Sequence, residues 1–226
     1  MPGLFKKAGT RGLRRALHAL VSELKLARRH RAGLSKAARL SLSQNLRLQL
    51  GSGSQPKAGW INVDLFADSA DLSLDVREDL PFPQDSIAFV YTEHLFEHLE
   101  YPVDAKHLLA EIHRVLIPGA TVSIVVPNFA EALQAYVSRD ETFFTWADRV
   151  RSYLQKERPT LMHHVNYWFR QDGHHLYAYD AETFTQVLRD AGFTAVRERA
   201  FDPELDSEKR YLLHSLYMEA IKPLHP

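Results

Sequence analysis

The run Leu46-Arg47-Leu48-Gln49-Leu50 ends in Gly51-Ser52-Gly53, and a second short run, Ile61-Asn62-Val63, ends in Asp64. Short β-type runs bounded by glycine or an acid read as strands entering tight turns. Glycines at the end of the first strand of an open α/β sheet let a ligand approach the backbone closely. A carboxylate at the end of the second strand can accept hydrogen bonds from both hydroxyls of a ribose. The pair of runs therefore predicts a sheet that cradles an adenosine-containing ligand across its first two strands.

The chain has 226 residues, 45% of them hydrophobic and 25% charged, enough for one sizeable α/β domain plus an extension. Cysteine is absent, which excludes disulfides and thiolate metal sites and points to a reducing, cytoplasmic setting. No apolar run approaches the ~20 residues that cross a bilayer. The net charge of zero hides a split. Residues 1–45 hold eleven Lys and Arg and one acid, Glu23, a balance of +10, so residues 46–226 carry −10. Such asymmetry reads as a basic N-terminal extension, residues 1–45, on an acidic domain, residues 46–226.

Within the extension, Leu13, Leu17, Leu20, Val21 and Leu24 recur at helical steps, with Arg14, Arg15, Arg28 and Arg29 off the stripe. A basic amphipathic helix of this kind suits peripheral contact of residues 1–40 with an anionic membrane surface, such as the inner face of the cell membrane. Packing of the stripe on the domain or on a partner stays equally open. His18, Ser22 and Glu23 interrupt the apolar stretch, which argues against a cleaved signal peptide; an Arg-rich organellar transit segment stays open. Residues 41–45 read as the linker into the domain.

Beyond residue 45, strands and helices alternate, as in a mostly parallel sheet. Strands are expected at 46–50, 61–64, 70–74, 87–92, 120–126, 194–201 and 211–221, the last two as an antiparallel pair. Leu108, Leu109, Ile112, Val115 and Leu116 mark one helix face, with Pro118-Gly119 as its stop. A second helix spans about 181–191, with Asp180 as N-cap and Gly192 just past its end. An insertion at about 128–179 is rich in aromatics and histidines and follows the C-terminal end of the fifth strand. Ligand crevices lie at those strand ends, so the insertion reads as a lid or substrate wall, with a helical cap carrying its own small core as the compatible alternative.

The motifs narrow the chemistry. A G-x-G-x-x-G fingerprint needs glycine where Pro56 stands, and Asp64 lies too close to Gly51 for the usual dinucleotide crossover, so hydride transfer is disfavoured. No G-K-[ST] follows the glycines, which excludes a P-loop. His94-Leu-Phe-Glu97-His98 matches H-x-x-E-H, whose histidines would share a face of a helix. Zinc proteolysis is disfavoured because the preceding run reads as a central strand of the same sheet. No metal ligand set is assigned, although a divalent ion that polarises a substrate hydroxyl, completed by His163, His164, His174 or His175, stays open.

Residues 46–200 resemble class I S-adenosylmethionine-dependent methyltransferases, and most closely the small bacterial predicted methyltransferases of the methyltransferase type 11-like group. The resemblance is carried by Leu50-Gly-Ser-Gly53, Gly59-Trp-Ile-Asn-Val-Asp64, Leu80-Pro-Phe-Pro-Gln-Asp85, Glu93-His-Leu-Phe-Glu-His-Leu99 and Glu111-Ile-His-Arg-Val-Leu-Ile-Pro-Gly119. His175-Leu-Tyr-Ala-Tyr-Asp180 and Leu188-Arg-Asp-Ala-Gly-Phe193 complete it. It implies a Rossmann-like, seven-stranded α/β sheet in the order 3-2-1-4-5-7-6. The seventh strand would be antiparallel, with helices on both faces and a helical lid. It also implies S-adenosyl-L-methionine as cofactor. Gly51, Ser52 and Gly53 would line its methionine and ribose part, and Asp64 and Leu65 the ribose. Asp75 and Val76 would meet the adenine edge, and Glu93 and His94 would stand beside the sulfonium. Many relatives carry an acid where this chain has Gln49, whose amide can hydrogen-bond but brings no negative charge to the cofactor's ammonium.

The expected reaction is methyl transfer to a small or lipid-linked acceptor, with a saccharide-type hydroxyl most plausible, since aromatic side chains stack on sugar rings. A hydroxyl nucleophile needs a base, and His175 is the first candidate and His98 the second. Nucleic acid is disfavoured as substrate, because the basic residues sit in a separable arm on an acidic domain. The rival readings are a non-catalytic S-adenosylmethionine-binding module and a metal-dependent hydrolase. Nothing in the sequence speaks to oligomeric state.

Overall fold

The computed structural model describes residues 10–39, 46–144, 160–207 and 214–224. Among them, six strands form one sheet: β1 (Leu46–Leu50), β2 (Ile61–Val63), β3 (Ile87–Glu93), β4 (Leu116–Pro127), β5 (Thr194–Glu198) and β6 (Ser215–Ile221). Their order is β2-β1-β3-β4-β6-β5. The first four are mutually parallel, and β6 runs antiparallel to both β4 and β5.

The seven-stranded expectation is corrected at one edge. Residues 70–74 contribute a single parallel bridge, Leu72 to Val63, and no ladder. Two backbone bonds flank that bridge, Leu72 N to Asn62 O and Asp64 N to Leu72 O. The next place in a ladder goes to a side chain, since Asp71 Oδ2 accepts from Asn62 N at 2.9 Å. Asp75 N then donates to the His30 ring at 3.0 Å. The segment thus occupies the outer position of the expected order without the repeating backbone bonds of a strand.

α2 (Val103–Val115) presents Leu108, Leu109 and Ile112 to the sheet. Its end also differs from expectation. Leu116 is already extended and opens β4, so Pro118-Gly119 lies within the strand and does not stop the helix. The carbonyls at this end are satisfied from outside the helix: Asp85 N takes Arg114 O, to which Pro118 has no N–H to offer, Ser86 N takes Val115 O, and Lys222 Nζ takes Leu116 O at 2.8 Å. α5 (Ala181–Asp190) begins as its sequence requires, with Asp180 Oδ1 accepting from Thr183 N at 2.8 Å. Gly192, at φ 89°, turns the chain out of it.

The main core fills one side of the sheet, where Leu48, Leu50, Val90, Val122, Ile124 and Met218 meet α2 and α5. On the other side Tyr91, Val125 and Tyr217 are covered by Trp60, Phe89, Phe201 and Leu205, which come from strands and loops. The expectation of helices on both faces is thus met on one: the apolar cover of the second holds no helical residue among those described. A buried ion pair closes that loop-covered face, with Arg199 in two bonds of 2.6 Å to Asp206, which also receives the Tyr91 hydroxyl at 3.1 Å.

The insertion contributes two described helices, α3 (Phe129–Ser138) and α4 (Leu161–Arg170). They share a separate small core of Ala132, Ala135, Phe143 and Phe144 against Leu161, Val165 and Trp168. The basic helix α1 (Thr10–Ala37) extends well past its leucine stripe. Its last turns dock: Ala37 is buried, Arg29 pairs with Asp68 at 2.7 Å, and Gly33 passes so close to Ser73 that a Cβ would lie 2.2 Å from its carbonyl. Leu13, Leu17, Leu20, Val21 and Leu24 remain exposed. The linker expected at 41–45 lies outside the described residues. Among the described residues no helix is long and apolar enough to cross a membrane.

Candidate active site

Gly51 and Gly53 adopt φ of 70° and 52°, a region that favours glycine, so the chain reverses at once after β1. Gly51 N and Ser52 N both donate to Val63 O, which ties the turn to the end of β2. Asp64 completes the tie. Its Oδ2 accepts from Gly53 N at 2.8 Å, and its Oδ1 accepts from Phe66 N and Ala67 N at 2.8 Å each. The carboxylate therefore stands at the joint between the two strands, half exposed, with its orientation set by three backbone donors. Leu65 beside it is buried.

Gln49 is turned inward. Its oxygen accepts from Lys57 N at 3.1 Å and its nitrogen donates to Gln55 O at 3.3 Å. The amide that stands where many relatives carry an acid is committed to closing the loop after the glycine turn.

At the outer edge, Val76 is buried and the Asp75 carboxylate is gripped by Arg77 through bonds of 2.9 Å and 2.7 Å. Burial pushes the Asp75 carboxyl up, but the hydrogen bonds and charge of Arg77 outweigh it and hold it below the usual range. At the end of β3, Glu93 accepts from Ser207 N at 3.1 Å. His94 follows at φ 53° and is almost wholly buried, sharing a 2.8 Å hydrogen bond with the Ser215 hydroxyl.

The H-x-x-E-H run does not form an α-helix. Phe96–His98 is a single 3₁₀ turn, so His94 and His98 do not share a helix face. Instead, His98 meets His175, ring centroids 5.1 Å apart. Two backbone bonds make this meeting possible: Leu176 N and Tyr177 N both donate to Glu97 O, at 2.7 Å and 3.3 Å. They clamp the chain returning from the insertion onto the turn after β3. His98 Nδ1 donates to His174 O at 2.8 Å and His175 Nδ1 donates to Trp168 O at 2.6 Å. A carbonyl can only accept, so each ring carries a proton on Nδ1. His163 is held at the start of α4 by Thr160, and His164 stacks on Phe144. Both belong to the insertion's own packing.

The sequence reading passed over Lys57 and Tyr91. Lys57 Nζ donates to Leu205 O and lies 4.7 Å over the Tyr91 ring. Burial lowers the Lys57 ammonium, against the opposing charges of Glu93, Asp206 and Asp202, and burial likewise raises the Tyr91 hydroxyl. No local motif announces this cluster, because its members come from three separate segments.

The structure fits an adenosine cofactor at the glycine turn. Gly53 faces open space where a Cβ would stand. Ser52 Oγ is buried there with no hydrogen-bond partner among the described residues. Asp64 stands at the second strand end.

A family model described as a methyltransferase domain matches residues 30–198. Fold and match together define an S-adenosylmethionine-dependent methyltransferase of class I. The chain belongs to the methyltransferase domain family. Its match begins at His30, the residue of α1 that meets Asp75. No curated protein matches the chain. Among solved structures it is similar to a SAM-dependent methyltransferase from Archaeoglobus fulgidus, at 17% identity and TM-score 0.49, covering 88% of this chain and 94% of that one. It is also similar to a chain of the Haloferax volcanii complex between the Trm112 methyltransferase activator and a putative methyltransferase, at 19% identity and TM-score 0.48, over 84% and 88%. A Thermotoga maritima protein described as a possible histamine N-methyltransferase follows at 14% identity and TM-score 0.46, over 92% and 97%. None of these bears on the acceptor.

Proposed function

We infer that the chain methylates a hydroxyl of a small or lipid-linked, saccharide-type acceptor, with His175 and His98 serving the nucleophile. S-adenosylmethionine, when bound, supplies a methyl group already activated by the sulfonium charge. Gly51, Ser52 and Gly53 would line its methionine and ribose portion. Asp64 and Leu65 would hold the ribose, Asp75 and Val76 would border the adenine, and Glu93 and His94 would close the sulfonium end. The remaining task of the protein is to align the acceptor, exclude water and take up its proton.

The observation that carries this reading is the meeting of the two histidine rings, each fixed through Nδ1 by a backbone carbonyl. Backbone carbonyls hold both Nδ1 protons, so in the neutral ring Nε2 is the nitrogen that can take the proton of a hydroxyl. Leu95 connects the two halves of the site, since a Cβ on Gly51 would lie 3.3 Å from its side chain, two residues before Glu97. Half-buried Trp168 and Phe169 on α4 supply ring surfaces suited to a sugar.

Calorimetric titration with S-adenosylmethionine and S-adenosylhomocysteine, with NAD as control, tests the cofactor half. Micromolar binding of the first two alone is expected, followed by methyl transfer to a sugar hydroxyl in an acceptor screen. Cofactor binding without transfer to any acceptor favours the second reading, a non-catalytic binding module, which the commitment of Gln49 to its own loop supports.

The exposed leucine stripe of α1, flanked by Arg14, Lys25 and Arg28, supports peripheral attachment to an anionic membrane surface at the cytoplasmic side. Deleting residues 1–25 is expected to reduce sedimentation with anionic vesicles and to leave cofactor affinity unchanged, because the docked turns of α1 are retained. Equal sedimentation of the two forms would refute the attachment.

A further inference from the structure

We propose that Glu97, His98 and His175 form a binding site for a divalent transition-metal cation. The proposal rests on the reading of His98 and His175 as the acceptor-side site and deepens it. One ligand atom from each of the three residues lies within 4.8 Å of the other two. Tetrahedral ligands at zinc distances stand ~3.4 Å apart, so shifts of about 1 Å would close the set.

Three features go beyond proximity. The first is the state of the rings. Histidines that ligate a metal through one nitrogen almost always donate the other N–H to a carbonyl or carboxylate. Both histidines here donate from Nδ1 to a main-chain carbonyl, His98 to His174 O and His175 to Trp168 O. The second is the charge. Glu97 is fully buried and its Oε1 lies 3.8 Å from His98 Nε2. The buried negative charge of the carboxylate would attract a cation placed between it and the imidazole. The third is rigidity. Glu97 O accepts from both Leu176 N and Tyr177 N, so the segments bearing the three ligands are fastened to each other by backbone bonds. His94, the other histidine of the H-x-x-E-H run, is turned to Ser215 with its Nδ1 3.3 Å from Glu97 Oε1, where it orients the carboxylate. The sequence motif therefore contributes Glu97 and His98, and the fold replaces His94 with His175.

Two imidazoles and one carboxylate suit Zn²⁺, Co²⁺, Fe²⁺ or Mn²⁺ better than Ca²⁺ or Mg²⁺, which prefer all-oxygen shells. Three protein ligands leave a position for an oxygen of the acceptor. A cation held there would position and polarise that oxygen, and with both Nε2 atoms on the metal the two histidines would serve as ligands and not as bases.

The test is titration of the full chain, stripped of metal by chelator, with Co²⁺ followed by visible absorption and with Zn²⁺ followed by calorimetry. About one ion per chain is expected, with ligand-field bands in the cobalt form. His98→Ala and His175→Ala should each weaken binding by more than about 10-fold, while His174→Ala, one residue away and exposed, should bind as the parent does. Glu97→Gln should do the same as the ligand variants, with circular dichroism confirming its fold. No cobalt spectrum from a folded parent chain, or parent-like affinity in the His98 and His175 variants, overturns the proposal. Calorimetry with S-adenosylhomocysteine on the same metal-free samples keeps the two readings apart. Cofactor binding without metal binding would sink only the metal site, and metal binding without cofactor binding would sink only the methyl-transfer reading.

Discussion

Asp64 reaches Gly53 across eleven residues of chain, whereas His98 reaches the carbonyl of His174 across seventy-six. The first flank of the candidate site is built from backbone: two left-handed glycines, three N–H groups on one carboxylate and Gln49 closing the loop behind them. The second flank is built from side chains that the return of the insertion delivers onto the turn after β3. A local, backbone-made flank tolerates change in its surroundings but not in its own residues. A flank assembled from distant segments depends on every contact that brings those segments together, here the double acceptance at Glu97 O.

The largest expected effect separates the flanks. His175→Ala should lower methyl transfer by about 10²–10⁴-fold, the range for losing a positioned proton-handling group, with cofactor affinity unchanged. Matched transfer rate and cofactor titration on the variant check it, and an equal loss of affinity would erase the distinction between flanks.

Asp64→Ala attacks the other side. It should weaken S-adenosylhomocysteine binding by ~1–3 kcal/mol, the scale for hydrogen bonds to a charged group, as read by calorimetry. Part of that loss is conformational, because Gly53 N, Phe66 N and Ala67 N lose their acceptor. Unchanged affinity would mean that the ribose lies elsewhere.

The smallest effect concerns the support shared by both flanks. Glu111 on α2 accepts from Leu80 N at 2.8 Å and pairs with Arg114 at 2.6 Å, pinning the loop that leads into β3. Hydrogen bonding from Arg114 holds the Glu111 carboxyl below its ordinary range, against the opposing effect of burial. A carboxyl depressed in the folded state stabilises above its unfolded pKa and loses that contribution as pH falls through the folded value. Glu111→Gln should therefore show a smaller drop in urea midpoint between neutral pH and about pH 4 than the parent chain. Parallel acid profiles would remove Glu111 from the account.

The local features were legible in advance for a common reason. The glycine turn, the Asp180 cap and the Gly192 exit each depend on backbone geometry within a few residues, which residue type alone can specify. The start of β4 was not legible, since Leu116 continues the apolar face of α2 and only Asp85, Ser86 and Lys222 take the carbonyls that would have continued it. Residues 70–74 show the same limit: their alternation suits a strand, but the Asp71 carboxylate and the His30 ring claim the partners a ladder would use. Gln49 could not be placed either, because its partners belong to a loop whose path the residues before it do not determine.

By itself the sequence determined the class of sheet and the strand ends that carry the glycines and Asp64, because these rest on short-range rules of turn, cap and periodicity, while the methyltransferase family was legible only as a resemblance carried by ordered motifs. Only the tertiary structure decided that His98 partners His175 and leaves His94 to Ser215, that the outer strand shrinks to one bridge, and that the apolar cover of one sheet face comes, among the described residues, from strands and loops. Each of those outcomes is a contest between groups far apart in the chain for the same donor or acceptor, and such contests are settled by which segments the packed core brings within reach.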